Sequence, residues 1–182
     1  DKRIILGVAG VWTERKGLGD FLELRKLLDD RYAIVLVGLT EQQLDTVFSR
    51  MESPLLLKLS LDDRPVSAEL EQFITALTAL SDKLTVAVGE RSASYLDAPC
   101  VTVCKADGSP TGLAFHGVPS GHEFTSFVLG LYNAAGPGQA LDDSTRQQIA
   151  AITNKTDMKI LVTLSCTMCP DLVVAAQRIA AD

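Results

Sequence analysis

The sequence predicts an α/β fold. Apolar runs of strand length recur along the chain, segments with helical periodicity separate them, and polar turns rich in glycine, proline or aspartate join the two kinds of segment. The 182 residues suffice for one large domain or two small ones. With 47% hydrophobic and 22% charged residues, the composition is that of an ordinary globular protein.

The charge and the N-terminus exclude some classes of function. A net charge of -6 argues against nucleic-acid binding, because no basic stripe is present to neutralise phosphates. No apolar run is long enough to span a bilayer, and the segment after Asp1 has the wrong flanks for a signal peptide. We therefore expect a cytoplasmic protein, and four cysteines in a chain of this length do not indicate a disulfide scaffold.

Residues 1–40 are predicted to form a Rossmann-like βαβ unit. Ile4 to Val11 and Tyr32 to Leu39 are apolar strands, and the helix between them has leucines and a phenylalanine at helical spacing. Such a pair of strands is parallel, and its crossover is right-handed. Arg15 and Lys16 follow the first strand, where they would meet a phosphate; the alternative is that they are solvated turn charges.

Residues 41–136 are predicted to form a thioredoxin-like fold. The pattern gives the order helix, β, α, β, β, β, α, with Ser67 as the N-cap of the second helix and Gly121-His-Glu opening the last. At the turn from the first strand to its helix stands Asp62-Asp-Arg-Pro, so this unit should be redox-silent. Cys100 and Cys104 lie on one strand, about 13 Å apart, which is too far for a disulfide; we expect buried small hydrophobes.

Residues 137–182 are predicted to be a partial second thioredoxin-like unit. A linker and a helix lead to a buried strand, Ile160 to Leu164, which runs straight into Cys166-Thr-Met-Cys169. The helix that follows carries an apolar side formed by Leu172, Val173, Ala176 and Ile179.

A Cys-x-x-Cys motif at a strand-to-helix turn is a redox arrangement. Cys166 lies where the free N–H groups and the positive end of the helix dipole favour a thiolate. Cys169 is one turn later, close enough to attack a mixed disulfide and release the partner. The alternative is half of a zinc site, but a second Cys-x-x-Cys or a His pair is not available near it, and we expect no metal.

Two resemblances to known families follow from these motifs. Trp12-Thr-Glu-Arg-Lys-Gly17 resembles the donor-diphosphate turn of retaining glycosyltransferases with two Rossmann lobes, which implies diphosphate binding by Arg15 and Lys16. From Glu41 onward, the chain resembles the N-terminal tandem thioredoxin-fold domain of the flavoprotein disulfide reductases of alkyl hydroperoxide reductase systems. The segments that carry this second resemblance are Leu61-Asp-Asp, Leu80-Ser-Asp-Lys, Gly121-His-Glu-Phe-Thr-Ser and Leu164-Ser-Cys-x-x-Cys-Pro-Asp.

The second resemblance implies a function. In that family, a flavin and NADH domain reduces the Cys-x-x-Cys pair, which then reduces the disulfide of a peroxiredoxin. This chain has no flavin or NADH motif, so FAD and NADH would act only through a partner or a missing domain. The resemblance places Glu123 near Cys166 and Cys169, where a carboxylate shuttles protons; the alternative is an acidic residue at a helix N-terminus. We expect His122 to be a partly buried capping residue and His116 to be structural.

The leading hypothesis is a thiol–disulfide electron-transfer module, passing electrons from a flavoprotein disulfide reductase domain to a peroxiredoxin-type disulfide protein. The alternatives are a non-catalytic chimera and a nucleotide-sugar-binding glycosyltransferase fragment. Whether the chain is itself an enzyme, a thiol–disulfide oxidoreductase, stays open, as does a homodimer. No nucleic acid or membrane is expected as a partner.

Overall fold

The computed structural model describes residues 3–12, 17–29, 31–89 and 97–182. Within these ranges the strands are β1 (Arg3–Trp12), β2 (Tyr32–Thr40), β3 (Leu55–Ser60), β4 (Leu84–Val88), β5 (Cys100–Lys105) and β6 (Pro110–His116). The helices are α1 (Leu18–Leu27), α2 (Glu41–Ser49), α3 (Pro65–Thr78), α4 (Glu123–Ala135), α5 (Asp143–Ala150) and α6 (Cys169–Ala180).

β1, α1 and β2 form the predicted βαβ unit. β1 and β2 pair in parallel, with Arg3 opposite Tyr32 and Trp12 opposite Thr40. Gly17, the N-cap residue of α1, has a φ of 76°, a left-handed conformation that glycine adopts without steric cost. Arg15 and Lys16, the proposed phosphate contacts, lie outside the described residues.

The thioredoxin-like prediction for the next part of the chain is confirmed. From α2 to α4 the elements follow the predicted order, and the four strands lie in the order β4-β3-β5-β6. β3 pairs in parallel with β4 and antiparallel with β5, and β5 pairs antiparallel with β6. We predict unit boundaries at residues 40 and 136; β2 ends at Thr40 and α4 at Ala135, and the division into three units stays a prediction.

The hydrophobic core belongs to this sheet and its helices. Leu55, Leu57 and Leu59 alternate with less buried residues along β3, as expected for a strand with one face in the core. Phe127 on α4 is 0% exposed, and its ring meets that of Phe115 edge-on at 4.9 Å between centroids. Aromatic pairs of this geometry add stabilisation beyond the area they bury.

Helix α3 begins two residues earlier than Ser67, the predicted N-cap. Pro65 stands in the first turn, where its missing N–H costs nothing, and Arg64 is the N-cap residue without a side-chain capping bond. Ser67 instead turns back to the preceding loop. Its hydroxyl accepts from the N–H of Asp62 at 3.0 Å and donates to the Asp62 carboxylate at 2.6 Å.

The predicted buried strand from Ile160 to Leu164 is wrong. Leu161 is 91% exposed and Leu164 47% exposed. A strand needs a neighbour that satisfies its backbone N–H and C=O groups. The strands in the described part of the chain form two sheets, and none of them pairs with this segment.

The buried side of α6 also differs from the predicted apolar side. Leu172 is 58% exposed and Ile179 40% exposed, whereas Gln177 and Arg178 are buried. Arg178 donates from Nε to the Gln139 carbonyl at 2.7 Å. Specific hydrogen bonds therefore decide which side of this helix faces the protein.

Candidate functional site

Cys166 and Cys169 form a disulfide, with their Cα atoms 5.6 Å apart. Cys169 is the first residue of α6, and Pro170 follows in the first turn. The backbone N–H of Cys169 donates to Cys166 Sγ at 3.1 Å. Because N–H groups at a helix start are otherwise unpaired and carry partial positive charge, this contact favours a thiolate on Cys166 after reduction.

The chain before the disulfide is held against the start of α4. The N–H of His122 donates to the Leu164 carbonyl at 3.3 Å, and the N–H of Cys166 donates to the Thr163 carbonyl at 2.9 Å. Gly121 has a φ of +59°, and a Cβ atom there would stand 2.8 Å from the Leu164 carbonyl oxygen. Only glycine permits both this conformation and this close approach.

Glu123 is the first residue of α4 and is 5% exposed. Its Oε2 accepts from the Ser126 hydroxyl at 2.5 Å, while Oε1 is buried and has no partner among the described residues. Burying an unpaired carboxylate oxygen costs free energy. A buried carboxyl group with an unpaired oxygen calls for an explanation, and function is one.

The expectation for one of the two histidines is contradicted. His122 occupies the N-cap position of α4, but it is exposed and its side chain makes no capping hydrogen bond, so the partly buried capping role is wrong. His116 is also exposed, and its backbone lies opposite Cys100 in the β5–β6 pair.

Two functional candidates escaped the sequence analysis, Ser126 and Gln177. Gln177 lies on α6 and donates from Nε2 to the Ser126 carbonyl at 2.6 Å. A Cβ atom on Gly130 would stand 2.6 Å from Gln177 Oε1, so glycine lets α6 approach α4 here. A glycine inside an apolar helix was the available signal of this close approach.

Two contact points show how α4 and α6 run relative to each other. Leu164, which precedes α6, contacts Gly121 and His122, which precede α4. Further along both helices, Gln177 of α6 contacts Ser126 and Gly130 of α4. The start of α6, with Cys169, therefore lies toward the same end as the start of α4, with Glu123.

A groove of about 540 Å³ lies between α4, α5 and α6. Its apolar lining includes Leu129, Leu141, Ile149 and Val174, and it extends to Pro170, beside the disulfide. The groove places apolar side chains next to the first turn of α6.

The corresponding turn of the first thioredoxin-like unit holds an ion pair instead of cysteines. Arg64 binds the Asp62 carboxylate at 2.6 Å and also donates to the Ala98 carbonyl. The hydrogen bond from the Arg64 side chain, followed by that from Ser67, lowers the pKa of Asp62 to about 2. Asp62 and Arg64 cannot carry out thiol chemistry.

The remaining cysteines are free and buried, as predicted. Burial raises the pKa of the Cys100 thiol above its ordinary value. A buried thiol with a raised pKa is a poor nucleophile, so Cys100 behaves as a small hydrophobic residue.

In the described part of the chain, no three His, Cys, Asp or Glu side chains are arranged to hold a metal ion. None of the helices described combines the length and the apolar character that crossing a membrane requires.

Comparisons with known proteins point to one family. No protein-family model matches the chain. The alkyl hydroperoxide reductase protein AhpF of Pseudomonas aeruginosa is 33% identical over 138 residues, which are 76% of this chain and 26% of that protein. A protein named NADH dehydrogenase, from Ferdinandcohnia aciditolerans, is 32% identical over 142 residues, 78% of this chain and 26% of that protein.

A solved structure extends the comparison. The crystal structure of the NTD_N/C domain of alkylhydroperoxide reductase AhpF from Enterococcus faecalis has 34% sequence identity and a TM-score of 0.68, covering 78% of this chain and 72% of that one. The chain spans about a quarter of the length of the curated relatives it matches. The glycosyltransferase-like interpretation of residues 1–40 finds no support in these comparisons.

Proposed function

Because this chain belongs to the AhpF family of alkyl hydroperoxide reductase proteins, whose N-terminal domain it resembles, we propose that it passes electrons by thiol–disulfide exchange within an alkyl hydroperoxide reductase system. One observation carries the proposal: Cys166 and Cys169 form a disulfide at the start of α6, and the Cys169 N–H donates to Cys166 Sγ. A sulfur in that position is a good attacking thiolate once reduced.

In the reductive half of the proposed cycle, a donor thiolate attacks the Cys166–Cys169 disulfide and forms a mixed disulfide. The donor's second thiol then displaces this chain. The donor leaves as a disulfide, and two electrons and one proton remain on the pair, as a Cys166 thiolate and a Cys169 thiol.

In the delivery half, the Cys166 thiolate attacks the disulfide of the acceptor, and one acceptor sulfur leaves and takes up a proton. Cys169 loses its proton, attacks Cys166 Sγ and closes the disulfide again. The second acceptor sulfur leaves as a thiolate, so two electrons and one proton have moved to the acceptor.

We assign the proton transfers to Glu123. Exchange needs a group that accepts a proton from an attacking thiol and returns one to a leaving thiolate. Glu123 is buried, lies at the end of α4 that holds the chain before Cys166, and has one carboxyl oxygen without a partner in the described part of the chain. These features support the assignment.

The donor and acceptor are proposed from the family. The donor is a flavoprotein disulfide reductase domain, which brings FAD and NADH, and the acceptor is a peroxiredoxin-type disulfide protein. The groove that extends to Pro170 offers an apolar surface beside the disulfide for one of these partners. A cytoplasmic location stays a prediction.

The experiment that tests the proposal asks whether Cys166 is the sulfur that attacks and Cys169 the sulfur that releases the bound partner. The reduced protein is mixed with 5,5′-dithiobis(2-nitrobenzoate), and the released thionitrobenzoate is counted. We expect two equivalents from the wild type, because Cys169 displaces the thionitrobenzoate bound to Cys166. Cys169→Ser should release one equivalent and retain the other on Cys166.

The matched control is Cys166→Ser, which leaves Cys169 as the only thiol of the pair and should react more slowly. The buried Cys100 and Cys104 should add nothing in the folded protein. Equal reaction rates of the two single variants, or a wild type that holds its label, would contradict the proposal.

A further inference from the structure

Ser126 lies between the carboxyl group of Glu123 and the helix that carries Cys169. It is 0% exposed. Its hydroxyl oxygen is 2.5 Å from Glu123 Oε2 and 2.9 Å from the Glu123 carbonyl oxygen. A hydroxyl has one hydrogen to donate and two lone pairs to accept with, so it cannot donate to both oxygens at once.

The two neighbouring oxygens give the hydroxyl two useful orientations. When Glu123 carries a negative charge, the Ser126 hydroxyl donates to Oε2. When Glu123 carries a proton on Oε2, that proton donates to the Ser126 oxygen, and the Ser126 hydrogen turns to the Glu123 carbonyl. Oε2 is hydrogen-bonded in both states, which matters because Oε1 has no partner in the described part of the chain.

Gln177 fixes the position of Ser126 relative to the disulfide. Its Nε2 donates to the Ser126 carbonyl at 2.6 Å, and it lies on α6, the helix that begins at Cys169. Gly130 leaves the room that this contact needs. Buried hydrogen bonds of this kind hold two helices in one arrangement.

We propose that Ser126 is a positioning residue for the exchange reaction, and that its hydroxyl reverses its hydrogen bond with Glu123 as this carboxyl group gives up and regains a proton. The inference rests on the proposed function. When a donor dithiol reduces the disulfide, a proton passes from Glu123 to the leaving thiolate, and the donor's second thiol returns a proton to Glu123 as it attacks the mixed disulfide. The donor sulfurs are oxidised, the chain's sulfurs are reduced, and Ser126 changes only its orientation.

Two variants of the same shape separate the effect of the Ser126 hydroxyl from the effect of side-chain size. Ser126→Thr keeps the hydroxyl, and Ser126→Val has a methyl group in its place. Both variants add one methyl group to the buried site, so any packing cost of that group is common to both. The measurement is the rate at which dithiothreitol reduces the Cys166–Cys169 disulfide across a pH series, followed by alkylation and mass spectrometry.

We expect Ser126→Val to be about fivefold slower than Ser126→Thr, the effect of one lost hydrogen bond, with a different pH profile. Ser126→Ala, which adds no atoms, should be slower than the wild type to a similar degree. In a Glu123→Gln background, the Thr and Val variants should react at the same rate.

Each other outcome is decisive. Equal rates for the Thr and Val variants, in a protein whose wild-type disulfide cycles, overturn the role of Ser126 and leave the proposed function standing. A difference that persists unchanged in the Glu123→Gln background also overturns it, because the hydroxyl then acts without Glu123. A wild-type disulfide that resists dithiothreitol overturns the proposed function, and this inference with it.

Discussion

Reduction of the Cys166–Cys169 disulfide should leave the protein folded. The cysteines are three residues apart, so the bond closes a loop of only four residues. For such a loop, the chain-entropy model gives about 2 kcal/mol of stabilisation, much less than for a bond that closes a long loop. A pair that cycles between two oxidation states needs a folded chain in both.

The hydrophobic core gives a second reason. Its fully buried side chains, such as Leu57 and Phe127, belong to the first thioredoxin-like unit, whereas both cysteines lie at the start of α6. We therefore expect the reduced and oxidised proteins to differ by about 2 kcal/mol or less in the free energy of unfolding. In a chain of this size that corresponds to about 4–8 °C in Tm.

The assay is urea unfolding followed by far-UV circular dichroism, with and without a phosphine reductant. The double variant Cys166→Ser/Cys169→Ser is the control, and its curve should not respond to the reductant. A loss of more than about 4 kcal/mol on reduction, or unfolding by the reductant alone, would show that the disulfide is structural and would refute this reasoning.

Three further predictions concern the rest of the fold. Burial raises the pKa of Cys100, so iodoacetamide should modify this thiol at least about tenfold more slowly in the folded protein than in urea, as mass spectrometry would show; equal rates would contradict its burial. The pKa of Asp62 is about 2 in the folded protein and about 3.9 in the unfolded chain, so its contacts stabilise the fold above pH about 3.9 and lose that effect as the pH falls toward about 2. Asp62→Asn should therefore flatten the pH dependence of Tm between these values, and an unchanged slope would argue against the Arg64 contact. Phe127→Ala should lower the free energy of unfolding by about 3–5 kcal/mol, because Phe127 is fully buried. Ile179 is 40% exposed, so Ile179→Ala should lower it by less than about 1 kcal/mol; equal losses for the two variants in urea unfolding would show that Phe127 is not in the core.

The elements with strong local signals were predictable from the sequence. The alternation of Leu55, Leu57 and Leu59 marks β3, and the apolar period that includes Phe124 and Phe127 marks α4. Both patterns arise because a regular element buries one face, so the period along the chain reports the structure directly.

Features that depend on partners distant in sequence were not predictable. The run from Ile160 to Leu164 has the composition of a strand, but pairing requires a neighbour, and no strand among those described pairs with it. Gln177 is buried because it meets Ser126, 51 residues earlier in the chain. The apolar period of α6 gives no sign of that contact.

The candidate site, too, was predictable from the sequence only in part. The Cys-x-x-Cys spacing indicates the disulfide, since residues three apart at a helix start lie within bonding distance. The network of Glu123, Ser126 and Gln177 joins two helices. The sequence places Glu123 at a helix start, but it does not reveal which side chains bond to it.

The reduction potential of the Cys166–Cys169 pair tests the central claim most directly. The protein is equilibrated with mixtures of reduced and oxidised dithiothreitol, and the fractions of dithiol and disulfide are counted by alkylation and mass spectrometry. We predict reversible reduction by two electrons near the potential of thioredoxins, about -270 mV. A disulfide that stays intact well below about -300 mV, as structural disulfides do, would contradict the account.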